Sequence, residues 1–254
     1  MQVAILTVGD ELLAGETENT NASWLARQLA ERGASVARIL VVPDDADTIA
    51  TYVREWAAEF DAVLVTGGLG GTHDDVTMDG VAAAFGRDAV VDADALEAVT
   101  ESARAFADAN PDVVDEYDLD LDLEAWARMP EGARMLDNPA GLAQGCAVGT
   151  VYVLPGVPEE MRATFEGVAG EFSGDAVSET VYTPAPEGAL VATLAELRDR
   201  FDVVVGSYPA PRGTPNRVKV SGSDPKTVRA AIDWLEDRVE TVPPPESDRR
   251  PGDA

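Results

Sequence analysis

Apolar runs and helical stripes alternate through residues 1–172, and that alternation restricts the fold of this chain more than any other feature. Residues 2–8 (QVAILTV) have the character of a buried strand. Residues 19–32 place Ala22, Leu25, Ala26 and Leu29 on one helical face and stop at Gly33, a glycine stop signal. A second strand follows at 35–42 and a second helix at 47–60, with Asp45 or Asp47 available as its cap. The third run, 61–66, ends abruptly in Gly67-Gly68. Residues 77–85 and 94–109 read as helices, 145–154 as one further strand, and 158–172 as a helix with proline in its first turn. Strand and helix in alternation predict a mostly parallel sheet with right-handed crossovers. Ligands of such sheets collect beyond the carboxyl ends of the strands.

Charge narrows the partners. The 254 residues carry 47 acidic against 19 basic side chains, a formal net charge of −28, and only Lys219 and Lys226 are lysines. An excess of this size repels nucleic acid and anionic lipid, because no basic stripe exists to displace their counterions. Self-repulsion would destabilise the compact state in dilute buffer, and concentrated salt removes most of that penalty. The expectation is a cytoplasm rich in salt, as in salt-in halophiles. No run of 18 apolar residues occurs, so no membrane helix is expected. The opening MQVAILTVGDELLAG reads as a strand and not as a signal peptide. A single cysteine, Cys146, excludes a disulfide framework and the common Cys-rich zinc sites.

Residues 175–242 form a separate small α+β pattern: strand 179–183, helix 188–200, strands 203–208 and 217–221, helix 225–239. It could suggest an RNA-binding KH-like module, but it lacks a basic groove, and protein contacts or dimerisation suit it better. The Pro-rich, charged tail 243–254 is expected to be disordered. The acidic stretch 110–124 (NPDVVDEYDLDLDLE) reads equally as a loop or a solvated helix.

The densest chemistry lies in 66–77, TGGLGGTHDDVT. Gly67, Gly68, Gly70 and Gly71 permit positive φ and close backbone approach, so consecutive N–H groups can face an anion. Thr72 adds a hydroxyl, and the helix that follows offers its positive end. Asp74 and Asp75 come next. Carboxylates beside a phosphate cradle repel the ligand unless a divalent cation bridges them, a common magnesium arrangement. The plainer alternative is a Gly-rich turn in which Asp caps a helix. No Gly-Lys-Ser/Thr follows, so this is not a P-loop. Two other stretches point to the same sheet edge. Val42-Pro43-Asp44-Asp45 puts a carboxylate at the end of the second strand, and Leu154-Pro155-Gly156 joins the last strand to its helix. The turn around Asn138, Gly141 and Gly145 is a third candidate.

In this order, TGGLGGTHDDVT, VPDD, NPAGLAQG and LPGVPEEM resemble the molybdopterin-binding (MoaB/Mog) fold family. They are closer still to its branch at the N-terminus of competence/damage-inducible protein A (CinA), which the opening GDELLAGETENTNASWLARQL also resembles. The resemblance covers about residues 1–172. Residues 179–221, with VGSYP and RVKV, are similar to the region after the same domain in CinA-like proteins and eukaryotic FAD synthases. It implies a three-layer α/β sandwich with a mostly parallel sheet, followed by a small α+β domain. The implied ligand is a nucleotide or pterin phosphate on Gly67, Gly68, Gly70, Gly71 and Thr72, with Asn138, Gly141, Pro155 and Gly156 around it. In the Mog enzymes two aspartates, matching Asp44 and Asp75, serve metal-assisted adenylyl transfer to molybdopterin. In the CinA branch the implied activity is metal-dependent cleavage of a nucleotide pyrophosphate such as ADP-ribose, and the related FAD synthase domain is associated with FAD hydrolysis. The implied metal is Mg²⁺ or another divalent cation on Asp75, Asp44 and Asp74, with K⁺ as a further candidate. A homo-oligomer, dimer or trimer, is the expected assembly. A catalytically silent binding module is the remaining alternative.

Four departures qualify the resemblance. The CinA loop usually has Pro where Gly71 stands, and Pro where Gln144 stands. The Arg of the Mog enzymes is replaced by Asp74, which removes a positive partner for a pterin phosphate and favours a metal-bridged ligand. These 254 residues show no resemblance to the C-terminal deamidase domain of full-length CinA proteins, so nicotinamide mononucleotide deamidation is not expected. His73, the only histidine, reads as an exposed loop residue, and Cys146 as a buried small hydrophobe.

Overall fold

A computed structural model describes residues 1–112, 121–211 and 213–246. The tail beyond 246 and most of the acidic stretch lie outside the described residues. The chain divides into two compact units, Met1–Gly174 and Asp175–Ala254.

In the first unit the elements are β1 (Gln2–Val8), α1 (Asp10–Leu13), α2 (Thr20–Glu31), β2 (Ser35–Val42), α3 (Ala46–Glu59) and β3 (Ala62–Thr66). They continue with α4 (Thr77–Ala84), β4 (Ala89–Val91), α5 (Ala93–Ala109), α6 (Leu123–Trp126), β5 (Arg128–Pro130) and β6 (Arg134–Leu136). The hairpin β7 (Gly145–Val148) and β8 (Val151–Leu154) leads into α7 (Pro158–Val168). The central sheet has the order β2-β1-β3-β8-β7-β6. β2, β1, β3 and β8 are parallel, and β7 runs against both β8 and β6.

Alternation along β1 explains the three layers. Val3 and Ile5 face α2 and α7, where Leu25, Leu29, Met161 and Phe165 pack. Ala4, Leu6 and Val8 face the opposite side, where Ile49, Val53 and Trp56 of α3 and Val81 of α4 pack. A strand buried on both faces reads as a continuous apolar run, as β1 does. Because β1 leads to β2 on one side and the chain then returns to β3 on the other, the strand order reverses at β1/β3. That is where the fold opens a crevice.

The expected single strand over 145–154 is two antiparallel strands. Val148 pairs with Val151, and Gly149, at φ +60°, turns the chain between them. A two-residue turn with positive φ is the tight hairpin connection, and it hides inside an apolar run. Three short strands, β4, β5 and β6, carry too few residues to show a period.

The second unit is a three-stranded antiparallel sheet of order β10-β11-β9, from β9 (Val177–Thr183), β10 (Val204–Tyr208) and β11 (Asn216–Gly222). Helices α8 (Glu187–Arg200) and α9 (Pro225–Glu236) accompany it. Leu190, Leu197, Val218, Val220, Ile232 and Leu235 form its own core. Among the described residues no helix is long and apolar enough to cross a membrane.

Candidate functional site

Register brings the candidate loops together. Val42 pairs with Val8, Thr7 with Thr66, and Thr66 with Leu154, so the carboxyl ends of β2, β1, β3 and β8 stand in one row. The four segments that leave this row are 43–45, 9–12, 67–68 and 155–157. They enclose a cleft of about 280 Å³.

Its floor depends on glycine. Gly67 sits at φ +109°, and a Cβ there would collide with the Val8 carbonyl. Its N–H donates to Leu154 O at 3.3 Å, and a Cβ on Gly156 would stand 3.2 Å from its Cα. Three strand ends can approach this closely only where no side chain intervenes. Thr66 Oγ1 donates to Pro155 O at 2.7 Å, fixing the neighbouring loop.

One wall comes from the start of α2. Asn19 caps it, its Oδ1 accepting from Ala22 N–H at 3.1 Å while its Nδ2 donates to Thr7 Oγ1 at 2.8 Å. Asn21 Nδ2 donates to Gly156 O at 2.7 Å. Thr20 and Asn21 line the cleft, and the first turn of α2 carries no acidic residue, so its positive end is left for an anion.

The two adjacent aspartates have different tasks. Asp45 caps α3, accepting from Thr48 N–H at 2.8 Å and Thr48 Oγ1 at 2.6 Å. Asp44 faces the cleft, and its Oδ2 accepts from Asp10 N–H at 2.8 Å. Burial pushes the Asp44 carboxyl above the ordinary carboxylate value; the Asp10 N–H opposes this, and the charges of Asp10, Glu11 and Asp74 add to it. Glu11, Glu18, Asp44, Asp74 and Asp75 line the cleft, with no lysine, arginine or histidine among its described lining residues.

Of the residues expected on the glycine loop, Gly67, Gly68, Asp74 and Asp75 line the cleft, as do Asp44 and Gly156. Gly70, Gly71 and Thr72 fold the loop. A Cβ on Gly70 would meet the Asp75 carboxylate, and one on Gly71 the Trp126 indole. Thr72 N–H donates to Asp75 Oδ2 at 3.0 Å, and its hydroxyl donates to the same oxygen. Asp75 therefore clamps the loop; the N-cap position of α4 is Val76, with no side-chain cap. The Trp126 indole leaves no room for a side chain at position 71, which accounts for its glycine. His73 is solvent-exposed, with Nδ1 3.9 Å from Asp74 Oδ1.

Asn138, Gly141 and Pro155 are not on the cleft lining. Buried Asn138 donates to Ala143 O at 2.9 Å and Glu160 Oε2 at 2.7 Å, which shapes the 137–144 turn beside α7. Pro155 offers its carbonyl to Thr66. Single-residue reasoning missed Thr7, Gly9, Glu11, Asn19, Thr20 and Asn21. The available signal was Asn19, a good N-cap residue placed directly before a helical stripe.

Whether a divalent cation fits can be judged from the donors. Among the described residues no three His, Cys, Asp or Glu side chains converge to hold an ion by themselves. Mg²⁺, however, is ordinarily held by one or two carboxylates plus water and substrate phosphate. Asp44, crowded by like charges, and Asp74 are the carboxylates of the lining that would supply those hard oxygens. The residues fit a shared, hydrated ion and not a protein cage.

The comparisons agree with this geometry. The family described as "Probable molybdopterin binding domain" matches residues 4–173, and that described as "FAD synthase, middle domain" matches 175–243. A protein of Archaeoglobus fulgidus is 38% identical over 239 residues, spanning 93% of this chain and 97% of its own length. A CinA-like protein of Citrifermentans bemidjiense is 40% identical over 179 residues, 68% of this chain and 41% of the relative. The crystal structure of CinA from Thermoplasma acidophilum, a protein of unknown function, superposes with TM-score 0.59 at 36% identity. That match covers 68% of this chain and 99% of the other. The chain belongs to the molybdopterin-binding domain family, in its CinA-like branch, and its residues 175–243 match the FAD synthase middle domain.

Proposed function

We propose that the cleft binds the diphosphate of a nucleotide and that the protein is a divalent-cation-dependent nucleotide pyrophosphatase acting on a substrate such as ADP-ribose or FAD. The observation that carries this reading is the lining: a helix start and glycine backbone suited to phosphate, surrounded by five carboxylates with no basic side chain. A phosphate can enter such a site only with a cation to offset the repulsion.

Asp44 and Asp74 would hold the cation. When bound, the cation neutralises phosphate charge and supplies Lewis acidity. The chain itself orients the ligand. The backbone at Gly67 and Gly68 allows close approach, and the first turn of α2 offers N–H groups toward the charge that develops at phosphorus. The Thr72–Asp75 clamp keeps the glycine loop in place, so these donors need no rearrangement on binding. Hydrolysis forms one water O–P bond and breaks one P–O–P bridge, releasing two monophosphates.

The family description favours a second reading, molybdopterin binding or adenylylation in cofactor biosynthesis. Incubation with Mg²⁺, Mn²⁺ or Co²⁺ in molar KCl and a panel of ADP-ribose, FAD and ATP, the last with and without molybdopterin, separates the two. Release of AMP from ADP-ribose or FAD, abolished by chelator, is the expected result. ATP consumption that requires molybdopterin, with no nucleotide cleaved alone, would favour the second reading.

A further inference from the structure

Thr77, the first residue of α4, is wholly buried, and its hydroxyl has no hydrogen-bond partner. Its N–H donates to Gly68 O at 3.3 Å, which holds the side chain against the glycine loop. Buried hydroxyls are nearly always paired, and an exception calls for an explanation such as a bound ion. The surroundings supply one. Gly68 stands at φ +62°, and the point a Cβ would fill lies 2.5 Å from Thr77 Oγ1 and 3.4 Å from Asp44 Oδ1. Asp44 engages the Asp10 N–H through its other oxygen, Oδ2. A neutral oxygen with nothing to bond and a carboxylate oxygen crowded by like charges thus border one small space.

Resting on the cation reading above, we propose that Thr77 is a cation-positioning residue. Its hydroxyl oxygen is a neutral donor beside the charged Asp44 Oδ1, and bare Gly68 leaves room between the two. Hard cations accept hydroxyl and carbonyl oxygens beside carboxylates, so a site of this kind needs no third acidic ligand. It also gives glycine at 68 two reasons: the backbone angle and the empty cradle.

The test is a calorimetric titration of the whole protein with Mn²⁺ alone, without nucleotide, beside melting curves in EDTA. Thr77→Val keeps shape and removes the oxygen, Thr77→Ser keeps the oxygen, and Asp44→Asn removes the charge. Thr77→Val should melt in EDTA at or above the wild-type temperature, since an unpaired buried oxygen is lost. Its Mn²⁺ affinity should fall at least tenfold, while Thr77→Ser stays within about threefold. Unchanged affinity in Thr77→Val, or a loss accompanied by a melting temperature several degrees lower in EDTA, overturns the proposal, the latter by showing a structural role. If Asp44→Asn loses Mn²⁺ and Thr77→Val does not, only the role of Thr77 fails. A wild-type protein that binds no Mn²⁺ alone overturns this inference, and the cation reading fails with it only if ADP-ribose also binds equally well without Mg²⁺.

Discussion

The amide of Asn21, at the start of α2, donates a 2.7 Å hydrogen bond to the carbonyl of Gly156, in the loop before α7. The bond spans 135 residues of sequence and ties together two segments that line the cleft. Asn21→Ala should lower stability by only about 0.5–1.5 kcal/mol, the range of one neutral hydrogen bond. Ligand affinity should fall more than stability, because the two walls then move independently. Melting curves and ligand titration on the same variant check this; a stability loss with intact affinity contradicts it.

Gly67→Ala tests the floor. The position combines φ +109° with a collision between any Cβ and the Val8 carbonyl. We expect a loss of about 2 kcal/mol or more, because a strained backbone and a clash with main chain add. Gly86 stands at φ +64° with nothing within 4 Å of its Cβ position, so Gly86→Ala carries backbone strain alone and should cost less. Urea unfolding of both variants measures the difference, and equal losses would contradict the close approach of the strand ends.

Cys146 bears on the buried face of the hairpin. Its thiol is buried and pushed up to about 12 by desolvation, from an ordinary 9.0. The folded value is the higher one, so the contribution to stability is complete below pH 9 and is lost as pH rises toward 12. At pH 8 the folded protein should react with a thiol reagent only after denaturant is added. Rapid modification of the native protein would show that β7 is more open than described.

Much of this arrangement is legible in the sequence, for a physical reason. Strands buried on both faces and helices with one apolar stripe announce themselves by period, so β1, α2, β2, α3 and β3 are read nearly to their ends. The β7–β8 hairpin is not, because a Gly-Thr turn between two valines interrupts no apolar run. At the site, VPDD marks a strand end but does not say which aspartate caps the helix. Only the structure separates Asp45, bonded to Thr48, from Asp44, turned to the cleft. Asp75 reads as a ligand by its place beside glycines, and the structure adds a second task, since its Oδ2 is engaged by Thr72. The α2 wall is obscured in the same way, since Asn19 and Asn21 act through partners distant in sequence.

A net charge of −28 predicts a strong dependence on salt. The melting temperature should climb steeply from dilute buffer into molar KCl as screening shortens the reach of repulsion. A flat profile across that range would remove the halophile expectation.

In the proposed mechanism a cation on Asp44 lets phosphate enter an acidic cleft. Asp44→Asn removes a charge that burial and its neighbours already disfavour, so without cation the variant should be at least as stable as wild type at neutral pH. Asp45→Asn, an equally good cap, serves as the control. The most direct measurement is calorimetric titration with ADP-ribose, with and without Mg²⁺ in molar KCl, on the wild type and these two variants. Mg²⁺-dependent binding is expected in wild type and Asp45→Asn, and at least a tenfold loss in Asp44→Asn, about 1.4 kcal/mol. Binding that is equally strong without Mg²⁺, or unchanged in Asp44→Asn, would contradict it.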